Sequence, residues 1–491
     1  MREKTLSPHA SSLIQSMRDL GYSLETAIAD LIDNSITAKS DNVKIFLKLN
    51  ETERSCLAII DNGSGMNDEQ LMEAMRPGSR NPREKRSKHD LGRFGLGLKT
   101  ASFSQCKSLT VVTRSNGITF AAQWDLDLIN QRNEWVVLVP EIEEIKNLPF
   151  IGELGQHGTY ILWQKLDRLL ENSTFETVKN STYDKLSDLE KHLSLVFHRY
   201  ISGDYRKPKL NIFINDHAIA AFDPFCTSNR ATQMLQEEIV RVDKKDIIIQ
   251  PYILPHHSKL SKQEYDYYNS RSEFVSNQGV YVYRNGRLII WGNWFKLVPK
   301  GEATKLARVK IDFPNSLDEH WSIDIKKSHA HPPLQVREKL KQIINRIAEQ
   351  STRVHKGRGN RLFDEQEHPL WKRNIHRQGI RYSLNQEHPL LMIVQNRLDE
   401  EGKAAFEDVL TVIGHSLPLE AIYADYSSSP HDFEEKEEIP YDAMKTKLQH
   451  LYLLFSGSGS LDHVSFSRII MSLKPFSENP GITQKILKEL I

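Results

Sequence analysis

The chain reads as an α+β protein of several domains. Three observations predict this: apolar residues at helical spacing over 24–32, strand-like runs at 57–60, 109–114, 135–139 and 158–164, and a length of 491 residues, more than one compact core normally holds. A hydrophobic content of 39% and a charged content of 26% suit a folded chain. The formal net charge of +1 supplies no global attraction to nucleic acid or membrane, so any such binding rests on local patches. No apolar run reaches the roughly 18 residues of a membrane span, and the opening MREKTLSPHASS lacks the apolar stretch of a signal peptide. Cys56, Cys106 and Cys226 lie far apart, form no metal-ligand spacing, and read as buried thiols of a reducing, cytoplasmic compartment.

The first helix carries chemistry. Leu24, Ala27, Ile28, Leu31 and Ile32 recur at i, i+3, i+4, i+7 and i+8, forming one amphipathic face. Asp30 and Asn34, four residues apart, stand one turn above each other on its flank. An Asn oxygen is a good neutral ligand for Mg²⁺, and a carboxylate one turn away can orient or deprotonate a water attacking a phosphate. Glu25 falls on the opposite side of the helix from Asn34, and Asp33 about 100° away from it, which leaves Asp30 as the expected base.

The run LAIIDNGSGM (57–66) predicts a buried strand entering a tight turn. Asp61 at the strand end is placed to accept the exocyclic amine of adenine, while Gly63 and Gly65 let the backbone turn and approach a planar base. From Arg76 to Arg93 the chain carries seven basic residues (Arg76, Arg80, Arg83, Lys85, Arg86, Lys88, Arg93) against Glu84 and Asp90, a composition expected of a lid. It leads into Gly92, Gly95 and Gly97, whose backbone N–H groups can face phosphates at the start of a helix formed by LKTASF, with Lys99 and Thr100 as further contacts. Thr159, opening the strand at 158–164, is expected to share the adenine network with Asp61. Taken singly, each motif has an ordinary counterpart: polar helix residues, a β-turn, a flexible loop.

In this order, DLIDN, DNGSGM, GRFGLGLKT and GTYI resemble the N-box, two glycine boxes and closing Gly-Thr strand of the GHKL superfamily (gyrase B subunits, heat-shock chaperones, histidine kinases and MutL). The resemblance covers roughly residues 10–170. It implies a Bergerat-type α/β sandwich binding ATP and Mg²⁺, with magnesium on Asn34 and adenine on Asp61. The remaining ATP contacts would fall on Gly63, Gly65, Met66, Gly92, Arg93, Phe94, Gly95, Leu96, Gly97, Leu98, Lys99 and Thr159. The superfamily's base is usually glutamate where this chain has Asp30, one methylene shorter, which implies slow turnover.

KLNIFIND (209–216) and GVYVYRNGRLIIWG (279–292) read as strands, the second a hairpin turning at Asn285-Gly286. Val336, Leu340, Ile343, Ile344 and Ile347 then mark a helix. In gyrase-like and MutL-like relatives a transducer domain supplies a phosphate-reaching lysine just before such a helix, so the resemblance nominates Lys326 or Lys327 as catalytic. The expected division is a GHKL ATP-binding domain at 1–170, an α/β transducer-like domain at 171–350 and a mainly helical interaction or dimerisation region at 351–491. HKGRGNR (355–361) reads as a basic hinge, and the repeated QEHPL at 366–370 and 386–390 as His-Pro turns rather than metal sites for His368 and His388. The whole is most similar to microrchidia (MORC)-type ATPases of prokaryotes. That resemblance implies a homodimer closing on ATP, acting on duplex DNA or beside a partner nuclease or effector. The alternatives are a nucleotide-gated scaffold with negligible hydrolysis and a chaperone-like ATPase. A histidine kinase fits poorly, because only His9 precedes the N-box and no further histidine occurs before His89.

Overall fold

The computed structural model describes residues 9–19, 21–49, 55–78, 91–92, 97–168, 175–256, 259–271, 276–301, 304–322, 331–347, 369–376, 379–419, 421–422, 440–456, 463–473 and 476–490. The chain divides into two compact units, Met1–Ser351 and Thr352–Ile491.

In the first unit, α1 (Ala10–Arg18) and α2 (Leu24–Thr37) precede β1 (Asn42–Lys48) and β2 (Cys56–Asp61). α3 (Asp68–Met75), α4 (Gly97–Phe103), β3 (Ser108–Ser115), β4 (Ile118–Asp125), α5 (Leu126–Arg132), α6 (Ile142–Lys146) and β5 (Gly158–Gln164) follow. α7 (Phe175–Val196), α8 (His198–Ile201), β6 (Asn211–Ile214) and β7 (His217–Ala218) complete a seven-stranded sheet of order β4-β3-β5-β2-β1-β6-β7. Its pairs are antiparallel apart from β1 with β6.

The continuous apolar run in β2 is explained by burial on both faces. Leu57 and Ile59 join the core beneath the helices, while Cys56, Ala58 and Ile60 join a second cluster covered by Ile145 and Leu154. On α2, the five residues expected to form the apolar face are all buried. Ser23 starts that helix, its hydroxyl accepting the Thr26 N–H.

One expected strand is corrected. Residues 135–139 make a single bridge, Leu138 to Gln123, and no ladder. Trp135 packs edge-on against Trp124 at 5.9 Å, while Leu138 and Val139 are exposed. A β-branched run forms a strand only where a partner strand runs beside it, and here β4 meets it at Leu138 alone.

A second sheet has the order β12-β11-β13-β10-β8 and is built from β8 (Gln233–Met234), β9 (Glu238–Val242), β10 (Lys245–Ile253), β11 (Gly279–Arg284), β12 (Arg287–Asn293) and β13 (Ala307–Phe313), with β9 beside β10. α9 (Lys262–Arg271) lies between β10 and β11 in sequence. The expected hairpin is present: Arg284 pairs with Arg287 across Asn285 and Gly286, both at positive φ of 47° and 78°. One face of the sheet buries Val280, Val282, Val309 and Ile311 against Val336, Leu340, Ile343, Ile344 and Ile347 of the helix over 334–347. The other packs Tyr281, Tyr283 and Leu288 against Leu195 and Phe225.

The second unit contains a two-stranded hairpin, Trp371–His376 with Gly379–Leu384, that the sequence reading did not anticipate. Helices Pro389–Gln395, Glu400–His415, Tyr441–Ser456, His463–Ser472 and Pro480–Leu490 follow. Phe455, Phe466, Ile470 and Ile486 form its core. His388 caps the first of these helices from its N-terminus, its Nδ1 accepting the Leu390 N–H at 3.3 Å. All three cysteines are buried. Among the described residues no helix is long and apolar enough to cross a membrane, and no cluster of metal-ligating side chains occurs.

Candidate functional site

Asp61 ends β2 opposite Thr159 of β5. Its Oδ1 accepts the N–H of Gly63 at 2.8 Å and of Thr159 at 3.2 Å, and its Oδ2 accepts the Ser35 hydroxyl at 2.9 Å. Burial pushes this carboxyl above its ordinary pKa, and those three donors pull the other way. The group is thus oriented by three donors, with lone pairs left for an amine.

The surrounding backbone excludes larger residues at two places. Gly65 has φ +66°, and a Cβ there would lie 2.0 Å from the Arg114 carbonyl oxygen. Gly158 has φ +131°, and its Cβ would lie 2.0 Å from the Asp61 carbonyl oxygen. Thr113 of β3 ties these pieces together: its hydroxyl oxygen accepts the Met66 N–H at 2.8 Å and donates to the Gly158 carbonyl at 3.1 Å.

Asp30 and Asn34 share α2 but differ in environment. Asn34 is exposed between buried neighbours Asp33 and Ser35. Asp30 is 4% exposed, and its Oδ2 accepts the Tyr22 hydroxyl at 3.1 Å. Burial, and then the Asp30 charge, push the Tyr22 pKa upward, so that hydroxyl stays a donor. A Cβ on Gly97 would lie 3.9 Å from Asp30 Oδ2, so α4 begins directly over the carboxylate. Glu25 lies half-buried in the first turn of α2.

Lys99 is oriented away from this space. Its buried Nζ donates to the carbonyls of Ala74 at 2.8 Å and Arg76 at 2.7 Å, closing the end of α3 where the lid sequence begins. Burial lowers its pKa to about 8. Gly92 and Leu98 are half-buried, and Thr100 is fully buried. Arg93, Phe94, Gly95, Leu96, Lys326 and Lys327 lie outside the described residues. An open cleft of about 850 Å³, lined by Lys39, Gly63, Arg114 and His157 among others, borders the outer side of the Asn62–Ser64 turn and includes none of Asp30, Asn34 or Asp61.

A buried carboxylate at a strand end, a glycine turn and an Asn-bearing helix define a nucleotide-site geometry, and residues 22–159 match the family model described as histidine kinase-, DNA gyrase B- and HSP90-like ATPase. The chain carries a GHKL-type ATPase domain. The ATPase morc-1 of Caenorhabditis elegans is 33% identical over 97 residues, which cover 20% of this chain and 11% of that protein. The chain therefore spans about a tenth of that relative's length. The crystal structure of the N-terminal domain of a DNA repair protein aligns over 71% of this chain and 98% of its own, at 14% identity and a TM-score of 0.41.

Four residues around the GHKL site escaped the sequence reading. Ser35 directly follows the DLIDN motif, so its position was the available signal. Tyr22 sits outside every motif, while Thr113 and Arg287 lie in runs read only as strands, and the fold alone brings the three to the site.

Proposed function

We propose that the GHKL domain binds Mg-ATP and hydrolyses it slowly, and that the chain works as an ATP-gated dimeric switch. The observation that carries this reading is the placement of Asp30 under the start of α4, on the same helix as the exposed Asn34 and the Asp61-orienting Ser35. The donor set fits the ligand: an open amide oxygen for Mg²⁺, a buried acceptor for the adenine amine, and no room for side chains at the glycine turns.

In this reading Asp61 accepts the exocyclic amine, and Gly63, Gly65 and Met66 line the base. Thr159 closes the network through its N–H to Asp61. Asn34 would hold the metal, which when bound offsets phosphate charge. By the resemblance, backbone N–H groups of the Gly92–Lys99 segment would face the phosphates, and Lys326 or Lys327 would reach the terminal phosphate. Asp30 orients the attacking water and takes its proton on a carboxylate oxygen. A side chain one methylene shorter than glutamate holds that water less closely, which supports slow turnover.

The divisions 1–170, 171–350 and 351–491, closure of a homodimer on ATP, and action on duplex DNA or beside a nuclease belong to this proposal. The seven-to-two basic excess between Arg76 and Arg93 supports anion binding there. The absence of disulfides among three buried thiols agrees with a cytoplasmic setting.

A nucleotide-gated scaffold is the second reading. Both Asp30 oxygens already face protein groups, Tyr22 at 3.1 Å and Arg287 at 3.6 Å, which favours holding the nucleotide over cleaving it. Steady-state Mg-ATP turnover, with and without duplex DNA, separates the two. Turnover abolished by both Asp30→Asn and Asn34→Ala supports the ATPase. Nucleotide binding that needs Asn34 without turnover supports the scaffold, and turnover surviving Asp30→Asn removes Asp30 as the base.

A further inference from the structure

The β11–β12 turn, Arg284-Asn285-Gly286-Arg287, places two buried arginines against the GHKL motifs. Arg284 grips the Asp318 carboxylate with Nε and Nη2, each at 2.7 Å, and its Nη1 donates to the Leu91 carbonyl at 2.8 Å, one residue before Gly92. Arg287 reaches α2. Its Nη2 lies 3.6 Å from Asp30 Oδ1, its Nε lies 2.8 Å from Asp33 Oδ1, and its guanidinium sits 5.7 Å over the Phe197 ring. The contact with Asp33 is an ion pair off the hydrogen-bond axis, so the fork spans both carboxylates instead of locking onto one. The turn is pinned in place: the Tyr200 hydroxyl donates to the Asn285 carbonyl, and a Cβ on Gly286 would strike the Tyr205 ring at 2.4 Å.

A carboxylate rotates about its terminal torsion in a broad two-fold well. The Tyr22 hydroxyl holds one oxygen of Asp30, and the Arg287 cation beside the other oxygen biases the plane of the carboxylate. We propose that Arg287 is a positioning residue for hydrolysis: the second sheet, through this hairpin, holds the plane of the Asp30 carboxylate and thereby sets turnover without setting nucleotide affinity. This rests on Asp30 acting as the base. Among the described residues Arg287 pairs with Asp30 and Asp33 and not with Asp61 or Asn34, so a change there is expected in the chemical step.

Removing Arg287 by itself takes a cation away from two buried carboxylates and endangers folding. The test therefore uses Arg287→Lys, which keeps the charge and loses the fork, and the double variant Asp33→Asn/Arg287→Met, which deletes the pair. Turnover and ATP dissociation constants are measured on the full chain, at a temperature where circular dichroism shows each variant folded, with Asn34→Ala as the binding-negative control. Expected is a fall in kcat of about tenfold or more in both variants, with ATP affinity held within about threefold of the wild type. Unchanged kcat in a folded double variant overturns the positioning role and leaves the ATPase reading standing. Parallel loss of kcat and affinity makes Arg287 a packing residue only and overturns it too. Absence of turnover in the wild type removes the ATPase reading and this role with it.

Discussion

Replacing Asp61 by Asn separates what the fold needs from what the ligand needs. An Asn amide oxygen in the Oδ1 position still accepts the Gly63 and Thr159 N–H groups, and the Ser35 hydroxyl can rotate to accept from the new N–H₂. Burial of a charge is relieved at the same time, since burial raises the Asp61 pKa. A raised acid loses folded-state stability as pH climbs from its ordinary value through the raised one, so at neutral pH the variant is expected to be as stable as the wild type or more so. The adenine amine, however, loses a charged acceptor, about 1.5–3 kcal/mol, and meets a donor instead, about 1 kcal/mol more. The sum, roughly 3 kcal/mol, weakens ATP binding on the order of 100-fold. Calorimetric titration with ATP measures the loss, and thermal melting checks the fold. The wild type is further expected to lose ATP affinity as pH falls through the raised Asp61 pKa, a dependence the variant lacks. Affinity within about threefold of the wild type in a folded Asp61→Asn protein would refute the assignment of the base-reading carboxylate.

Gly65→Ala forces a Cβ to within 2.0 Å of the Arg114 carbonyl at φ +66°, so stability should fall by more than about 2 kcal/mol in urea unfolding; a wild-type midpoint contradicts the close approach. Thr113→Val leaves the Met66 N–H and the Gly158 carbonyl without their buried partner, a loss of about 1–3 kcal/mol, whereas Thr113→Ser should retain most of it. Lys99 has a folded pKa of about 8 against an ordinary 10.5, so its charge opposes folding below pH 8 and that penalty lifts as the amine deprotonates. The stability of the wild type relative to Lys99→Met should therefore improve by up to about 3 kcal/mol between pH 8 and 10.5, and a pH-independent difference would count against the buried amine.

Legibility followed range. α2 was readable because a 3.6-residue period and the Asp30–Asn34 spacing are local, and the β11–β12 turn because Asn-Gly satisfies two successive positive φ angles without outside help. Residues 135–139 misled for the opposite reason: strand propensity is a statement about a partner surface, and only Leu138 finds one. The hairpin at 371–384 was missed among helical signals, its two strands being short and separately unremarkable.

By itself, the sequence determined which chemistry is available: a helix bearing Asp30 and Asn34, a strand delivering Asp61 to a glycine turn, and a glycine loop opening a helix, each specified by residues a few positions apart. Tertiary structure decided how that chemistry is held. Ser35, Thr113 and Thr159 converge on Asp61 and its turn from three elements, Lys99 is diverted to the end of α3, and Arg287 comes within 3.6 Å of Asp30 from far along the chain. Local periodicity and turn chemistry act between near neighbours, whereas a buried charge takes whichever partner the packing of two sheets brings to it.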